Sequence, residues 1–167
     1  FKQYSTNANG RSGTSKGIEV YTQHTWESGF GYIGNYTLNK TNETPVSLGD
    51  TQVGKSELIG SAKYAANVSL FYEKNGLLLR ASDNWTGRTM QGLASGLPIY
   101  AQPYHQIDVN GDYEFNKHLM VTASVINLTK STPHTYLGGD TRARLVQLLY
   151  PGRQYYLGVT YKFGGES

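Results

Sequence analysis

From Gln106 to Phe115 the chain alternates without exception. Ile107, Val109, Gly111, Tyr113 and Phe115 occupy one parity, and Gln106, Asp108, Asn110, Asp112 and Glu114 the other. Successive side chains of a strand point to opposite faces, so this segment satisfies its own chemistry only as a strand with one apolar and one polar side. The same rule governs Phe30, Tyr32, Gly34, Tyr36 and Leu38, and again Tyr64, Ala66, Val68, Leu70 and Tyr72. Leu77, Leu79, Ala81 and Trp85 form a further set, in which Asp83 interrupts the apolar side. Leu119, Val121, Ala123 and Val125 follow, with Met120 and Ile126 reducing the contrast, and Tyr155, Leu157, Val159, Tyr161 and Phe163 complete the series. The stretch from Ile18 to Trp26 alternates poorly. Seven strands can be counted, with a fragment of an eighth at Phe1 to Tyr4.

The connections between these strands alternate in length. Short turns fall at Glu27-Ser28-Gly29, at Glu73-Lys74-Asn75-Gly76 and at Asn116-Lys117-His118. Long polar loops fall at about Asn39 to Lys63, Thr86 to Tyr104 and Leu128 to Gly152. Short turns at one end and long loops at the other describe a meander that crosses an outer membrane, whereas ordinary hairpin loops run to only ~2–5 residues. Aromatic residues agree. On the apolar parity, Trp26, Phe30, Tyr72, Tyr113, Phe115, Tyr161 and Phe163 stand near the short turns, and Tyr36, Tyr64, Trp85 and Tyr155 near the long loops. Two girdles with aliphatic residues between them suit two membrane interfaces. Each strand is long enough, at about 9–11 residues, to cross the hydrocarbon at a tilt. The expected fold is therefore all-β, an antiparallel transmembrane β-barrel meander of about seven to eight strands. Bacterial single-chain barrels use even numbers of strands and close on themselves, so a count of seven implies a part of a larger barrel.

Composition removes the competing classes. An aromatic share of 13% with a net charge of +3 is unlike a disordered chain. No apolar run approaches the roughly 20 residues of a spanning helix. With Cys 0 the chain has neither disulfides nor thiolate chemistry. A mean hydropathy of -0.49 follows from strands with one wet side and long polar loops. The pI of about 9.0 arises from scattered Lys and Arg, with no basic stripe that would hold nucleic acid. The chain opens at Phe1 without an initiator Met or an apolar leader, as expected of a mature chain or a piece of a longer one.

The segment Tyr156-Leu157-Gly158-Val159-Thr160-Tyr161-Lys162-Phe163 resembles the signal read by the barrel-assembly machinery, carried by Tyr156, Gly158, Tyr161 and Phe163. Gly164 to Ser167 departs from that pattern, which ends on the aromatic residue, and is read as a short tail after a barrel portion spanning 1–163. Further motifs occur in order: Lys16-Gly17-Ile18-Glu19-Val20, Gly34-Asn35-Tyr36-Thr37, Ser61-Ala62-Lys63-Tyr64 leading to Asn67, Val125-Ile126-Asn127-Leu128-Thr129, and Tyr150-Pro151-Gly152-Arg153-Gln154-Tyr155. This ordered series resembles the C-terminal barrel portion of TonB-dependent outer-membrane receptors over nearly the whole chain. The resemblance implies a plugged barrel of 22 strands in the outer membrane of a Gram-negative bacterium, taking up a scarce solute such as a siderophore, vitamin or glycan. It implies as partners the rest of the barrel and its plug, TonB through a region N-terminal to this chain, the assembly machinery, and outer-membrane lipid with lipopolysaccharide. The other reading is a self-contained eight-stranded outer-membrane barrel with a structural or adhesive role.

Candidate contact residues follow from position. Gln106, Asp108, Asn110 and Asp112 are expected to line the lumen. Tyr100, His134, Tyr136, Arg142 and Arg144 are expected in the outer loops, and Arg142, Arg144 and Arg153 are alternatively placed to meet lipopolysaccharide phosphates. No catalytic residue, metal ligand or cofactor site is expected. His24, His105, His118 and His134 share no ligand spacing, and His105 and Asp108, three apart on a strand, face opposite ways. Asp108 to Asp112 imitates the start of a calcium loop but reads as a solvated lumen stripe. Gly49-Asp50-Thr51-Gln52-Val53-Gly54-Lys55-Ser56 matches the phosphate-binding P-loop in letters, yet the preceding Thr44-Pro45-Val46-Ser47-Leu48 is a poor strand and no βαβ unit surrounds it. It reads as an outer loop. Of six Asn-x-Ser/Thr matches, those at Asn35, Asn67 and Asn84 fall inside strands, where a glycan would break pairing.

Overall fold

A computed structural model describes residues 13–43, 57–94, 97–138 and 144–163. The strand fragment expected at Phe1 to Tyr4, the P-loop-like segment, Arg142 and the tail lie outside these residues. The strands are β1 (Gly13–Thr25), β2 (Phe30–Glu43), β3 (Tyr64–Lys74), β4 (Leu77–Thr86), β5 (Thr89–Ala94), β6 (Leu97–Ala101), β7 (Tyr104–Asn116), β8 (Leu119–Ile126), β9 (His134–Leu137), β10 (Arg144–Leu148) and β11 (Gln154–Tyr161). Seven of them form one antiparallel sheet in the order β1-β2-β3-β4-β7-β8-β11, and these are the seven strands the alternation defines.

Directly paired residues in a sheet lie on the same face, so the register tests the parity of every strand against its neighbour. Val20 pairs with Tyr36, Tyr36 with Ala66, Ala66 with Trp85, and Trp85 with His105. Leu70 pairs with Ala81, Ala81 with Val109, Val109 with Val125, and Val125 with Tyr155. The apolar parity of all seven strands thus falls on one continuous face. Both aromatic girdles lie on it, and the rings meet in pairs: Tyr64 stacks on Trp85 at 4.6 Å, Phe30 lies 4.8 Å from Tyr72, and Tyr161 4.7 Å from Phe163.

Nothing among the described residues covers that face. Leu157 is 80% exposed, Val159 67% and Leu70 61%, and among the described residues the only buried hydrophobic side chain is Met90. An apolar surface spanning seven strands far exceeds what a water-soluble monomer leaves open, and hydrocarbon is the solvent that suits it. Among the described residues no strand continues the sheet beyond β1 or beyond β11. β1 and β11 do not pair with each other, and each is exposed along its whole length.

Each short turn has a local cause. Asn75 and Gly76 have φ of 54° and 78°, the two left-handed residues of the tight hairpin turn that Asn-Gly favours. A Cβ at Gly76 would also sit 2.9 Å from the Glu114 carbonyl oxygen. Gly76→Ala should therefore cost about 1–2 kcal/mol, from the left-handed backbone together with the displaced carbonyl, and urea unfolding of the refolded protein measures it. At the β7–β8 turn, Asn116 Oδ1 accepts hydrogen bonds from the amides of His118 and Leu119 at 2.9 and 3.1 Å.

The long loops depart from expectation. β1 begins at Gly13 and β2 runs to Glu43, so the first loop starts later than the hydrophobic pattern suggests. The other two carry a second sheet, in the order β10-β9-β6-β5. That order repeats the wall below it: β5 follows β4, β6 precedes β7, β9 follows β8 and β10 precedes β11. The outer sheet is a continuation of the wall across a break, and the break has a chemical cause. Pro103, Pro133 and Pro151 stand in three of the four connections, and proline has no amide hydrogen for a ladder. Isolated bonds bridge the gap, from Leu128 N–H to Ile107 C=O and from Gln102 N–H to His134 C=O. Residues 57–63 close over β5, where Gly60 N–H donates to Met90 C=O and Ala62 bridges Thr89, which buries Met90.

Candidate functional site

The face opposite the apolar one carries the expected lumen residues. Gln106, Asp108, Asn110 and Asp112 pair with Asn84, Ser82, Arg80 and Leu78 on β4, so all four lie on the polar side. The register extends this into rows. Asn35, Asn67, Asn84 and Gln106 are aligned across four neighbouring strands, giving a stripe of amides in which Asn67 Nδ2 donates to Asn84 Oδ1. The next row contains Ser69 and Ser82, whose hydroxyls are 2.7 Å apart, and then Asp108. Beyond it Gly31, Phe71, Arg80 and Asn110 are in line. The Arg80 guanidinium lies 5.8 Å from the Phe71 ring centre, and a Cβ at Gly31 would approach that ring to 2.3 Å, so only glycine lets the ring lie flat on the sheet.

Asp108 does more than line the wall. Its carboxylate accepts two bonds from Gln106 Nε2, at 2.9 and 3.0 Å, and Oδ1 also accepts the Asn127 amide at 2.8 Å. Tyr104 donates to Gln106 Oε1 at 2.9 Å. The chain of bonds then leaves the wall. Asn127, 1% exposed with a φ of 57°, donates from Nδ2 to the carbonyls of Ser131 and Gly152, each at 3.0 Å. Its Oδ1 accepts the Ser131 amide at 2.8 Å. Arg153 Nε donates to Leu128 C=O at 2.6 Å alongside. Asn127 thus ties β8, the segment before β9 and the segment before β11 into one joint. Sequence reasoning placed Asn127 in a motif without giving it this task, because its partners at Ser131 and Gly152 become neighbours only when the strands pair.

The loop candidates separate into two groups. Tyr100, His134 and Tyr136 come together on the outer sheet, where Tyr100 pairs with Tyr136 and the His134 and Tyr136 rings stack at 6.4 Å. Arg88 lies over the Tyr100 ring at 4.4 Å and 3.9 Å from Glu57. Arg144 stands at the start of β10, paired with Leu137. Of the signal residues, Tyr156 and Gly158 fall on the polar face opposite Ser124 and Thr122, while Tyr161 falls on the apolar face opposite Leu119. Phe163 is 91% exposed beyond the end of β11.

Asp83, the interruption in the apolar parity of β4, is answered by His105, also on the apolar face, with Nδ1 3.5 Å from Asp83 Oδ1. His105 and Asp108 do face opposite sides. Among the described residues no three His, Asp or Glu side chains gather to hold a metal.

Residues 2–128, more than half of the 167-residue chain, match the family described as TonB dependent receptor-like, beta-barrel. No curated protein and no solved structure matches the chain.

Proposed function

Because the chain belongs to the TonB dependent receptor-like β-barrel family, we propose that its seven-stranded sheet is a stretch of the wall of an outer-membrane receptor that takes up a scarce solute. The observation that carries this reading is the single apolar face, kept in register over seven strands and backed by a polar one. A wall with lipid on one side and a wet lumen on the other needs that arrangement, and a soluble sheet does not. The free edges of β1 and β11 fit strands supplied by the remainder of the barrel, since unpaired backbone in lipid costs several kcal/mol per group.

In this reading the wall works by shape and polarity, without catalysis. The amide stripe and Asp112 face the plug and the passing solute. Tyr100, His134 and Tyr136 offer rings at the outer rim to a siderophore, vitamin or glycan. Outer-membrane lipid and lipopolysaccharide solvate the apolar face. TonB acts through the plug and an N-terminal region, and Tyr156, Gly158, Tyr161 and Phe163 present β11 to the assembly machinery. Extracted from a Gram-negative outer membrane without heating, the protein should migrate as a species far larger than 18.5 kDa. A folded, heat-modifiable species near 18.5 kDa would instead establish a self-contained small barrel.

A further inference from the structure

Four connections join the wall to the outer sheet, and three of them contain a proline, which gives a ladder no amide. The chain alone therefore does not fix the angle between the two tiers, and the bonds that cross the gap must. Two of those bonds carry a charge. Arg153 reaches Leu128 C=O at 2.6 Å from the segment before β11, and Asp108 reaches the Asn127 amide at 2.8 Å from within β7 itself. A hydrogen bond with one ionised partner is roughly twice as strong as a neutral one.

The wall is arranged to keep the Asp108 carboxylate in this place. The β8–β11 ladder ends at Ile126, paired with Gln154, and Asn127 then turns to a φ of 57°. Its amide leaves the ladder and takes Asp108 Oδ1 as acceptor. Tyr104 donates to Gln106 Oε1, which orients the Gln106 amide with Nε2 toward Asp108, and both carboxylate oxygens accept from it. Arg80, diagonal to Asp108 across the β4–β7 register, lies over the Phe71 ring instead. Among the described residues Asp108 makes no ion pair, so the half-buried carboxylate is committed to the joint.

On the far side of the joint, the Asn127 side chain holds Ser131, just ahead of β9, and β9 carries His134 and Tyr136 next to Tyr100 of β6. We propose that Asp108 is a positioning residue for the outer contact surface: through Asn127 it fixes where these three rings stand above the lumen. The proposal rests on the reading that the rings meet the solute, and it makes one lumen-face carboxylate responsible for their placement.

Hydrogen exchange on the full-length protein in a bilayer tests this. Asp108→Asn keeps the shape and removes the charge, so the Ser131 and Gln102 amides should exchange about tenfold faster, while amides in the middle of β7 and β8 keep their protection. Added to Asn127→Ala, the same change should speed Ser131 by less than about twofold more, because both break one joint. Asp112→Asn, which removes a charge from the same face of β7, should leave both amides at the wild-type rate. Spin labels at Lys74→Cys by the short turn and Val146→Cys on β10, with any other cysteine replaced by serine, read the position of the outer sheet itself. Their distance distribution should broaden in Asp108→Asn and match wild type in Asp112→Asn, and heat-modifiable migration confirms that each variant folds. Unchanged exchange and distances in Asp108→Asn would overturn the proposal. So would acceleration spread evenly through β7 and β8, the mark of a residue that only supports the wall. Full additivity with Asn127→Ala would overturn it as well, since Asp108 would then act outside the joint. The size of the unheated species tests the receptor reading separately, so a small barrel with the Asp108 effect and a receptor without it are distinct failures.

Discussion

Val109→Arg should destabilise the folded barrel by ~2–4 kcal/mol, while Asn110→Arg, one residue further along β7, should change stability by less than about 1 kcal/mol. Val109 sits in the middle of the apolar face, paired with Ala81 on one side and Val125 on the other. A guanidinium there must enter hydrocarbon or drag water and headgroups toward it, and near the midplane neither interface is within easy reach. Asn110 pairs with Arg80 and Ser124 on the polar face, where a second cation meets water and can turn from Arg80. Both variants introduce the same side chain at neighbouring positions of one strand, and the ~1 kcal/mol span of strand propensity is smaller than the difference expected from the change of face. Reversible urea unfolding in lipid vesicles gives both numbers. Equal costs would contradict the assignment of faces.

Asn127→Ala should have the second largest effect, about 3 kcal/mol, confined to the junction between the wall and the outer sheet. The change removes the three bonds made by a buried amide and strands the Ser131 amide and two carbonyls, at ~1–3 kcal/mol for each group left unsatisfied. It also places alanine at a φ of 57°. Hydrogen exchange should show the Ser131 amide opening on the order of 100-fold faster, while amides in the middle of β7 and β8 keep their protection. Asn127→Gly separates the causes, because it relieves the backbone and still loses the bonds. Asn127→Asp keeps the acceptor for Ser131 but points carboxylate oxygen at the Gly152 carbonyl, so it should be no better than alanine. Unchanged exchange at Ser131 in all three variants would show that the joint is held by something other than this side chain.

The wall was legible in the sequence because two solvents act on it. Lipid on one side and water on the other force each strand to alternate, and a one-residue slip would invert every side chain at once. That is why Phe30 to Leu38 and Gln106 to Phe115 could be assigned faces before any pairing was known. β1 was read less well for the same reason reversed: its apolar face carries Thr22 and His24, and its polar face carries Tyr21. The outer sheet escaped detection because its strands are short and do not alternate. β6 reads Leu97-Pro98-Ile99-Tyr100-Ala101 and β10 Arg144-Leu145-Val146-Gln147-Leu148, neither with a period of two, and β10 is bulged between Leu145 and Gln147. Pro103, Pro133 and Pro151 mark the gaps between the two stacked ladders.

The candidate residues were legible to different degrees. The face of Gln106, Asp108, Asn110 and Asp112 follows from parity, but the engagement of Asp108 with Asn127 depends on a contact across 19 residues. The gathering of Tyr100, His134 and Tyr136 depends on the β6–β9 pairing, which no local pattern announces. Asp83 looked like a flaw in β4 until His105 was placed beside it by the β4–β7 register.

The chain has Cys 0, so single cysteines introduced one at a time along Gln106 to Phe115, with any cysteine elsewhere in the protein replaced by serine, are its only thiols. Spin labels at these ten positions, in the full-length protein reconstituted into a bilayer, report directly which side chains meet lipid and which meet water. The account predicts a strict period of two: labels at 107, 109, 111 and 113 accessible to oxygen, and labels at 106, 108, 110 and 112 accessible to a water-soluble paramagnetic nickel chelate. No alternation, or alternation in the opposite phase, would contradict the central claim that this sheet is a membrane wall with its apolar face outward.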